Sequence, residues 1–166
     1  MGEFTVAFKV NGKSPDVPRD MYHLAQAFYL AGNRASLIVE VGPNLTQSLL
    51  SPSVVNYCFS IELFFKALIL NVNGRKTKGH KLKVLFDELP EEIRLKIRNT
   101  YPEFIQIPDI DSFLEAVSEY FVQVRYEYEY PIEFYYESVI SAFAKIVYVI
   151  CSDIFGQAVN IPNVTV

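Results

Sequence analysis

The sequence has 166 residues, of which 51% are apolar and 20% are charged, and its formal net charge is −4. This length is that of one ordinary domain, which can bury a hydrophobic core without help from a metal or a disulfide. The composition excludes intrinsic disorder. The acidic balance argues against nonspecific coating of nucleic acid, because that kind of binding depends on clustered Lys and Arg.

Cysteine usage and the N-terminus both favour a cytoplasmic protein. Cys58 and Cys151 lie within apolar helical patterns, and no C-x-x-C spacing is present. The sequence therefore supports neither a zinc site nor a redox motif, and we expect no metal and no cofactor. The N-terminus lacks the basic region and apolar run of a signal peptide.

Two long apolar stretches are predicted to be buried helices and not membrane spans. Residues 54–72 carry Glu62 and Lys66 in their middle, and the C-terminal stretch is interrupted by Lys145 and Asp153. A charge at a bilayer centre costs about 2.5–3.5 kcal/mol on insertion scales. A soluble helical bundle accommodates such residues more easily.

The N-terminal part predicts a short strand followed by a long helix. Residues 4–10 alternate like a short strand, and Asn11-Gly12 favours a turn after them. Apolar side chains then recur at helical spacing from Met21 to Val41, and Asp20 is the expected N-cap. Gly32-Asn33 either ends this helix early or only loosens it, and in the second case Gly42-Pro43-Asn44 ends it.

The middle of the chain predicts a second and a third helix. Ser51-Pro52 is expected to begin the second helix, because Pro favours the first helical position. Asn73-Gly74 is expected to end it with a left-handed residue. The third helix is expected to start after Gly79 and to end near Leu89-Pro90, with one or two further helical turns after it.

Two more helices complete the predicted fold. The fourth is capped by Asp109 or Asp111 and stops before Pro131, and the fifth runs from about Ile132 to Phe155. The prediction is an all-α, up-and-down bundle of four to five helices with a short N-terminal extended segment. Residues 1–166 form a single domain, whose bundle core spans about residues 21–155.

Charged residues occur inside the apolar second helix. Glu62 and Lys66 are four residues apart with Glu first, which is the favourable orientation for an ion pair. A buried pair needs further partners to offset its desolvation. Arg125 and Glu129 on the fourth helix have the same spacing and would complete a neutral cluster of four. Such a cluster either only orients the helices or supports a functional site.

Residues 74–86 form the most basic stretch of the chain. It contains an R-x4-H spacing from Arg75 to His80. His80 either bonds a backbone group at the start of the third helix or serves as a general acid–base, and the first interpretation is favoured without a positioned partner. The amides at the start of the third helix, with Lys78 and Lys81, are the expected phosphate-binding edge.

Tyrosines crowd the junction of the fourth and fifth helices, where they alternate with glutamates. Aromatic rings of this kind can stack on nucleobases, but the acidic surround repels phosphates. Packing or a dimer interface is the favoured interpretation.

Several segments of the chain resemble the HEPN domains (higher eukaryotes and prokaryotes nucleotide-binding). They are A-x-A-F-Y-L-A-G in helix one, S-I-E-L-F-F-K-A-L in helix two, K-G-H-K-L-K-V-L-F-D-E-L-P in helix three and V-R-Y-E-Y-E before helix five. The resemblance implies a four- or five-helix bundle, often dimeric, from prokaryotic toxin–antitoxin, abortive-infection or defence systems. Many members are metal-independent ribonucleases that use an R-x4–6-H motif. Other members lack the motif and are nucleotide-binding or non-catalytic.

The sequence departs from the family's catalytic pattern. The nuclease motif normally lies near the last helices, where here no His follows Arg125. We therefore expect a nucleotide- or RNA-associated module without a standard nuclease motif, with its polar site formed by Glu62, Lys66, His80, Arg125 and Glu129. The resemblance implies a homodimer, with a cognate antitoxin or nucleotidyltransferase as partner.

Two alternatives remain at this point. The first is a metal-independent ribonuclease that uses His80 as acid–base and Arg75 or Arg125 to stabilise the phosphorane. The second is a structural dimerisation module, in which helix five pairs with a second copy.

Overall fold

The computed structural model describes residues 16–47, 49–101, 109–124 and 137–156. Within these ranges the chain forms six helices and one two-stranded hairpin: α1 (Val17–Ala35), β1 (Val39–Gly42), β2 (Leu45–Gln47), α2 (Leu50–Asn73), α3 (Leu82–Asp87), α4 (Glu91–Thr100), α5 (Ile110–Gln123) and α6 (Glu137–Phe155). The prediction of an all-α bundle is confirmed. The predicted strand at 4–10 and the tail after residue 156 lie outside the described residues.

Helix α2 is the central element of the bundle. It packs against α1, α3, α5 and α6. By length and composition alone, α2 and α6 are both able to cross a membrane, but core helices of globular proteins pass the same test. The apolar stretch of α2 is 72% buried inside the fold and that of α6 is 50% buried. This burial explains the long apolar pattern of α2 as that of a core helix.

The bounds of α1 differ from the prediction at both ends. The helix begins at Val17, because Asp16 is the N-cap and its Oδ1 accepts from the backbone N–H of Arg19 at 3.1 Å. It ends at Ala35, two residues after Asn33, so the early end is the observed one and the continuation to Val41 is wrong. The chain instead turns into the hairpin, in which Asn44 adopts a left-handed φ of 59°.

The start of α2 also differs from the prediction, whereas its end agrees. The N-cap is Leu49, without a side-chain cap, and Pro52 lies within the first turn, where a backbone N–H has no intrahelical partner to lose. Gly74 follows the last turn with a φ of 64°, and its N–H donates to the carbonyl of Leu70 at 3.0 Å. The left-handed stop predicted from Asn73-Gly74 is confirmed.

The C-terminal half contains a shorter α3 and a longer α4 than the sequence predicts. Helix α3 has six residues and α4 has ten. Asp109, and not Asp111, caps α5, since its Oδ1 accepts from the N–H groups of Asp111 at 3.0 Å and Ser112 at 3.1 Å. The predicted bounds at Pro131 and Ile132 lie outside the described residues.

Helices α1 and α6 are joined by aromatic stacking and by a buried hydrogen-bond chain. The ring of Tyr22 stacks on Phe155 with centroids 4.9 Å apart. Its hydroxyl lies 3.0 Å from Ser152 Oγ and accepts from Gln26 Nε2 at 2.8 Å. Burial raises the pKa of Tyr22, so the neutral hydroxyl is the form that the core retains.

Helices α1 and α2 approach most closely at Gly32. A Cβ built on this residue would lie 2.8 Å from two ring carbons of Tyr57, which is itself buried. The Tyr57 hydroxyl donates to Asn33 Oδ1 at 2.9 Å, so the ring is held from its far end and has little room to withdraw. Gly32 therefore sets the distance between the two helices.

The close approach at Gly32 predicts that Gly32→Ala destabilises the protein. Overpacking costs about 1–3 kcal/mol, and a contact of 2.8 Å with a held ring belongs to the upper part of this range. The helix preference of Ala offsets about 1 kcal/mol, so the expected net loss of stability is about 1–2 kcal/mol. Thermal unfolding followed by circular dichroism should show a lower Tm, by about 2–4 °C for each kcal/mol lost. Gly42→Ala is the matched control, because its built Cβ is 3.9 Å from the nearest atom, an ordinary contact. An unchanged Tm for Gly32→Ala would contradict the prediction.

Burial of both cysteines predicts thiols that are inert in the native state. Burial raises the pKa of the Cys58 thiol to about 12 and that of Cys151 well above its ordinary value. The reactive thiolate is therefore absent at pH 8, below the raised pKa values. A disulfide reagent should not react with native protein and should titrate both thiols in guanidinium chloride. Native reaction at the rate of free cysteine would contradict this.

Candidate functional site

The most buried charged residue of α2 is Glu62, whose carboxylate bonds one residue of the same helix and one residue of the following loop. Glu62 is 2% exposed, and its Oε1 accepts from Lys66 Nζ at 2.8 Å. The same oxygen lies 2.9 Å from His80 Nδ1. The ion pair that the i, i+4 spacing predicts is therefore present, and His80 is its third member.

Burial makes Glu62 dependent on these partners. An ionised carboxylate out of water is costly unless opposite charge and hydrogen bonds offset its desolvation. Lys66 offers the opposite charge from a side chain that is only 15% exposed. Removing one member of a buried pair typically costs about 3–5 kcal/mol, because the other charge is left uncompensated.

The loop after α2 brings His80 back to Glu62. The chain leaves α2 at Gly74, and Gly79 has a φ of 104°, in the region that favours glycine. His80 follows directly, with Nδ1 on the carboxylate and a side chain that is 75% exposed. The ring thus bonds a carboxylate. The interpretation favoured from sequence, a bond to a backbone group, is wrong.

The hydrogen bond to Glu62 fixes the chemistry of the His80 ring. An ionised carboxylate only accepts, so the neutral imidazole carries its proton on Nδ1. The lone pair of Nε2 is then the free acceptor, and in the part of the chain that the structure describes no second hydrogen bond to this ring is found. The ring can accept a proton at Nε2 or, once protonated, donate from it.

A groove of about 230 Å³ lies beside His80. It is lined by Lys78, Gly79, His80, Lys81, Val84 and Leu85. Its exposed lining is almost entirely apolar, and its titratable lining residues are Lys78, His80 and Lys81. The titratable residues that line this groove are basic, so the electrostatic potential beside it favours an anion.

The predicted phosphate edge at the start of the third helix has one of its backbone amides occupied. Helix α3 starts at Leu82 with Lys81 as N-cap, and six residues make a short helix with a small dipole. The N–H of Leu82 donates to Ser118 Oγ at 2.8 Å, so this amide is already satisfied. The lysines of the predicted edge, Lys78 and Lys81, remain beside His80.

Ser118 is a structural residue that the sequence analysis missed. Its hydroxyl accepts from Leu82 N–H and donates to the carbonyl of Leu114 at 2.7 Å, and so joins α3 to α5. A serine at a helical position between apolar residues carries no signal that would have identified this partner.

The remaining predicted site residues are not brought together by the described part of the structure. Arg125 and Glu129 lie outside the described residues, as do most tyrosines of the predicted cluster. Arg75 is exposed in the loop, and no ion pair holds it to another described residue. The R-x4-H spacing therefore places the guanidinium and the imidazole on the same loop without a contact between them.

The loop is a region of uncompensated positive charge. Four of its cations form no ion pair with any other residue in the described ranges: Arg75, Lys76, Lys78 and Lys81. Lys83 differs, because Asp87 at 2.5 Å and Asp111 at 3.6 Å neutralise it and raise its pKa. The described residues contain no group of three or more His, Cys, Asp or Glu that would hold a metal ion.

Comparison with known proteins identifies the family of the chain. The family model of the HEPN domain matches residues 44–153, which is about two thirds of the chain. The matched region includes Glu62, Lys66 and His80 and runs from the hairpin into α6. No curated protein and no solved structure shows a significant match. The chain belongs to the HEPN domain family, which makes it a helical module of a nucleotide- or RNA-related class.

Proposed function

We propose that this chain binds RNA or nucleotides through phosphate, at the connection between α2 and α3. His80, Lys78 and Lys81 contact the phosphate, and Glu62 positions His80 without touching the ligand. The proposal places the binding site at the basic loop of an otherwise acidic protein.

The observation that carries the proposal is the hydrogen bond from His80 to the buried Glu62. An exposed histidine of purely structural role needs no buried carboxylate, and burying a carboxylate costs free energy. Here the carboxylate holds the imidazole beside a groove whose other charged groups are ammonium ions. In its protonated form the His80 ring donates from Nε2 to a phosphate oxygen while Nδ1 stays on Glu62, and the ammonium groups of Lys78 and Lys81 are donors of the same kind.

The distribution of charge supports a local site over a broad basic surface. The net charge is −4, so cations concentrated in one loop create a local positive potential within an acidic protein. This arrangement steers an anion to the loop and disfavours coating of long nucleic acids. A short single strand or a free nucleotide suits it better than duplex DNA.

The family context adds expectations about the biological setting. The chain is proposed to act in the cytoplasm, in a prokaryotic defence or toxin–antitoxin type of system. A homodimer, with a cognate antitoxin or nucleotidyltransferase as partner, is part of the same proposal. Its support is the family resemblance alone.

A second candidate function is metal-independent cleavage of RNA. The specific observation in its favour is the tautomer of His80, since Nδ1 on Glu62 leaves Nε2 free to accept a proton from a ribose hydroxyl. Lys78 or Arg75 would then stabilise the charge that develops on the phosphorus oxygens. Binding without cleavage remains the first candidate, because the residues in the described ranges provide one imidazole at this site and a cleavage cycle needs both a base and an acid.

The binding proposal predicts that Lys78→Ala/Lys81→Ala weakens RNA binding and reduces its dependence on salt. Affinity for a fluorescein-labelled single-stranded RNA should fall by about tenfold or more, because charge-assisted hydrogen bonds are lost. The slope of log K against log salt should become shallower by about 1.4, as each neutralised phosphate of a single strand contributes about 0.7. Fluorescence anisotropy at several salt concentrations measures both.

The matched control is Lys96→Ala/Lys145→Ala, which removes the same charge from α4 and α6. Both lysines are exposed and lie outside the groove. The proposal fails if this control weakens binding as much as the loop variant does, or if the wild-type protein does not bind RNA.

The cleavage candidate predicts that His80→Ala loses activity in buffer containing a chelator. General acid–base catalysis contributes about 10²–10⁴-fold, so the rate of RNA cleavage should fall by at least about 10²-fold. Denaturing gel analysis of a labelled RNA measures this rate. His23→Ala is the control, since that ring bonds Gln26 on α1 and should leave the rate unchanged. Intact RNA after incubation with wild-type protein would rule cleavage out.

A further inference from the structure

A second, larger groove adjoins the one beside His80. It has a volume of about 520 Å³ and lies between α3 and α5. Lys81 and Val84 line both grooves, so the two are continuous across these residues. A volume of this size is within the range of about 300–1,000 Å³ that small-molecule sites occupy.

The larger groove has a basic end and an acidic wall. Glu115 and Glu119 on α5 line it, and their i, i+4 spacing places both carboxylates on one helix face. Lys81 and Lys83 line the same groove, and Lys83 is paired with Asp87 and Asp111. Lys81 forms no ion pair with either glutamate, and neither glutamate is paired with any other residue in the described ranges. Open space thus separates a positive group from two carboxylates.

Because α5 is acidic here, the larger groove does not suit a second phosphate. A carboxylate is an acceptor and binds ligand groups that present N–H donors. A ligand that reaches both ends therefore carries an anionic group next to His80 and Lys81, and hydrogen-bond donors where Glu115 and Glu119 lie. A nucleotide has this polarity when its base edge offers donors.

The four RNA bases differ in what their Watson–Crick edges offer a carboxylate. Guanine presents two adjacent donors, N1–H and the N2 amino group, which match the two oxygens of one carboxylate. Adenine and cytosine present one amino donor beside an acceptor nitrogen, and uracil presents one N–H between two carbonyl oxygens. Unpaired bases are read on these edges in single-stranded RNA. The repulsion between carboxylate and carbonyl oxygens is greatest for uracil.

We propose that the groove between α3 and α5 selects guanine. The proposal rests on the phosphate site beside His80, to which the nucleotide is anchored. Glu115 or Glu119 accepts from N1–H and the N2 amino group, and Val84 and Ala116 offer apolar surface to the face of the base. The two glutamates are thus specificity-determining residues, distinct from the lysines that bind phosphate.

The test measures base preference by competition. GMP, AMP, CMP and UMP each compete with a fluorescein-labelled RNA for the wild-type protein, and GMP should compete about tenfold more strongly than UMP, which corresponds to about 1.4 kcal/mol. Glu115→Gln/Glu119→Gln should remove this preference without weakening UMP, because Gln keeps the shape and loses the charge. Glu88→Gln, an exposed change outside the groove, is the matched control and should retain the preference.

A second arm identifies the source of the guanine. In a short RNA with a single guanosine, replacement of that base by uridine should weaken binding to the wild-type protein and not to the double variant. If guanine is preferred in the short RNA but not in the competition by mononucleotides, the ligand is an RNA segment. If guanine is preferred in both experiments, the recognised unit is the single nucleotide.

The outcomes separate this inference from the phosphate site on which it rests. Equal competition by all four nucleotides, with no effect of the guanosine replacement, overturns guanine selection and leaves phosphate binding intact. A guanine preference that survives in Glu115→Gln/Glu119→Gln also overturns the assignment to this groove. Absence of any RNA or nucleotide binding overturns both proposals.

Discussion

The desolvated carboxylate of Glu62 is the constraint around which the polar end of this bundle is organised. A negative charge in the middle of the central apolar helix requires compensation, and the described structure supplies it from two directions. Lys66 provides the charge from within α2, and His80 provides a hydrogen bond from the loop beyond it. The loop between α2 and α3 therefore has to fold back far enough for His80 to reach the buried carboxylate of Glu62.

The bundle separates its charges by location. Cations occupy the loop after α2, and carboxylates occupy the exposed face of α5 across the larger groove. The hydrogen bond from Leu82 to Ser118, the aromatic packing of α2 and the ion pair of Lys83 with Asp111 hold this arrangement, whereas Lys81, Glu115 and Glu119 form no ion pair in the described ranges. Charged groups at the grooves are thus left available to a ligand, because stability is provided elsewhere.

Local signals in the sequence predicted the local features of the fold well. The Glu62–Lys66 pair and the Gly74 stop depend on residues within one or two helical turns, where spacing and conformational preference decide the outcome. The contact of His80 with Glu62 spans 18 residues and depends on how the loop folds back, which no periodicity encodes. The hairpin at 39–47 was missed for a related reason, since apolar residues such as Ile38 and Val39 satisfy a helical pattern but are exposed in the fold. The contact of His80 with Glu62 is tertiary, whereas the hairpin is a local element whose strands are mostly exposed.

The left-handed backbone at Gly79 has an entropic consequence. A side chain added there would meet no atom within 4 Å, yet a φ of 104° disfavours any residue that has one. The glycine costs conformational entropy when the protein folds, and the hydrogen bond to Glu62 then holds the imidazole in one orientation. At the phosphate site proposed here, a ligand would meet an imidazole ring whose orientation is already fixed. The ordering is completed once, during folding, and is not repeated at each binding event, so more of the interaction energy contributes to affinity.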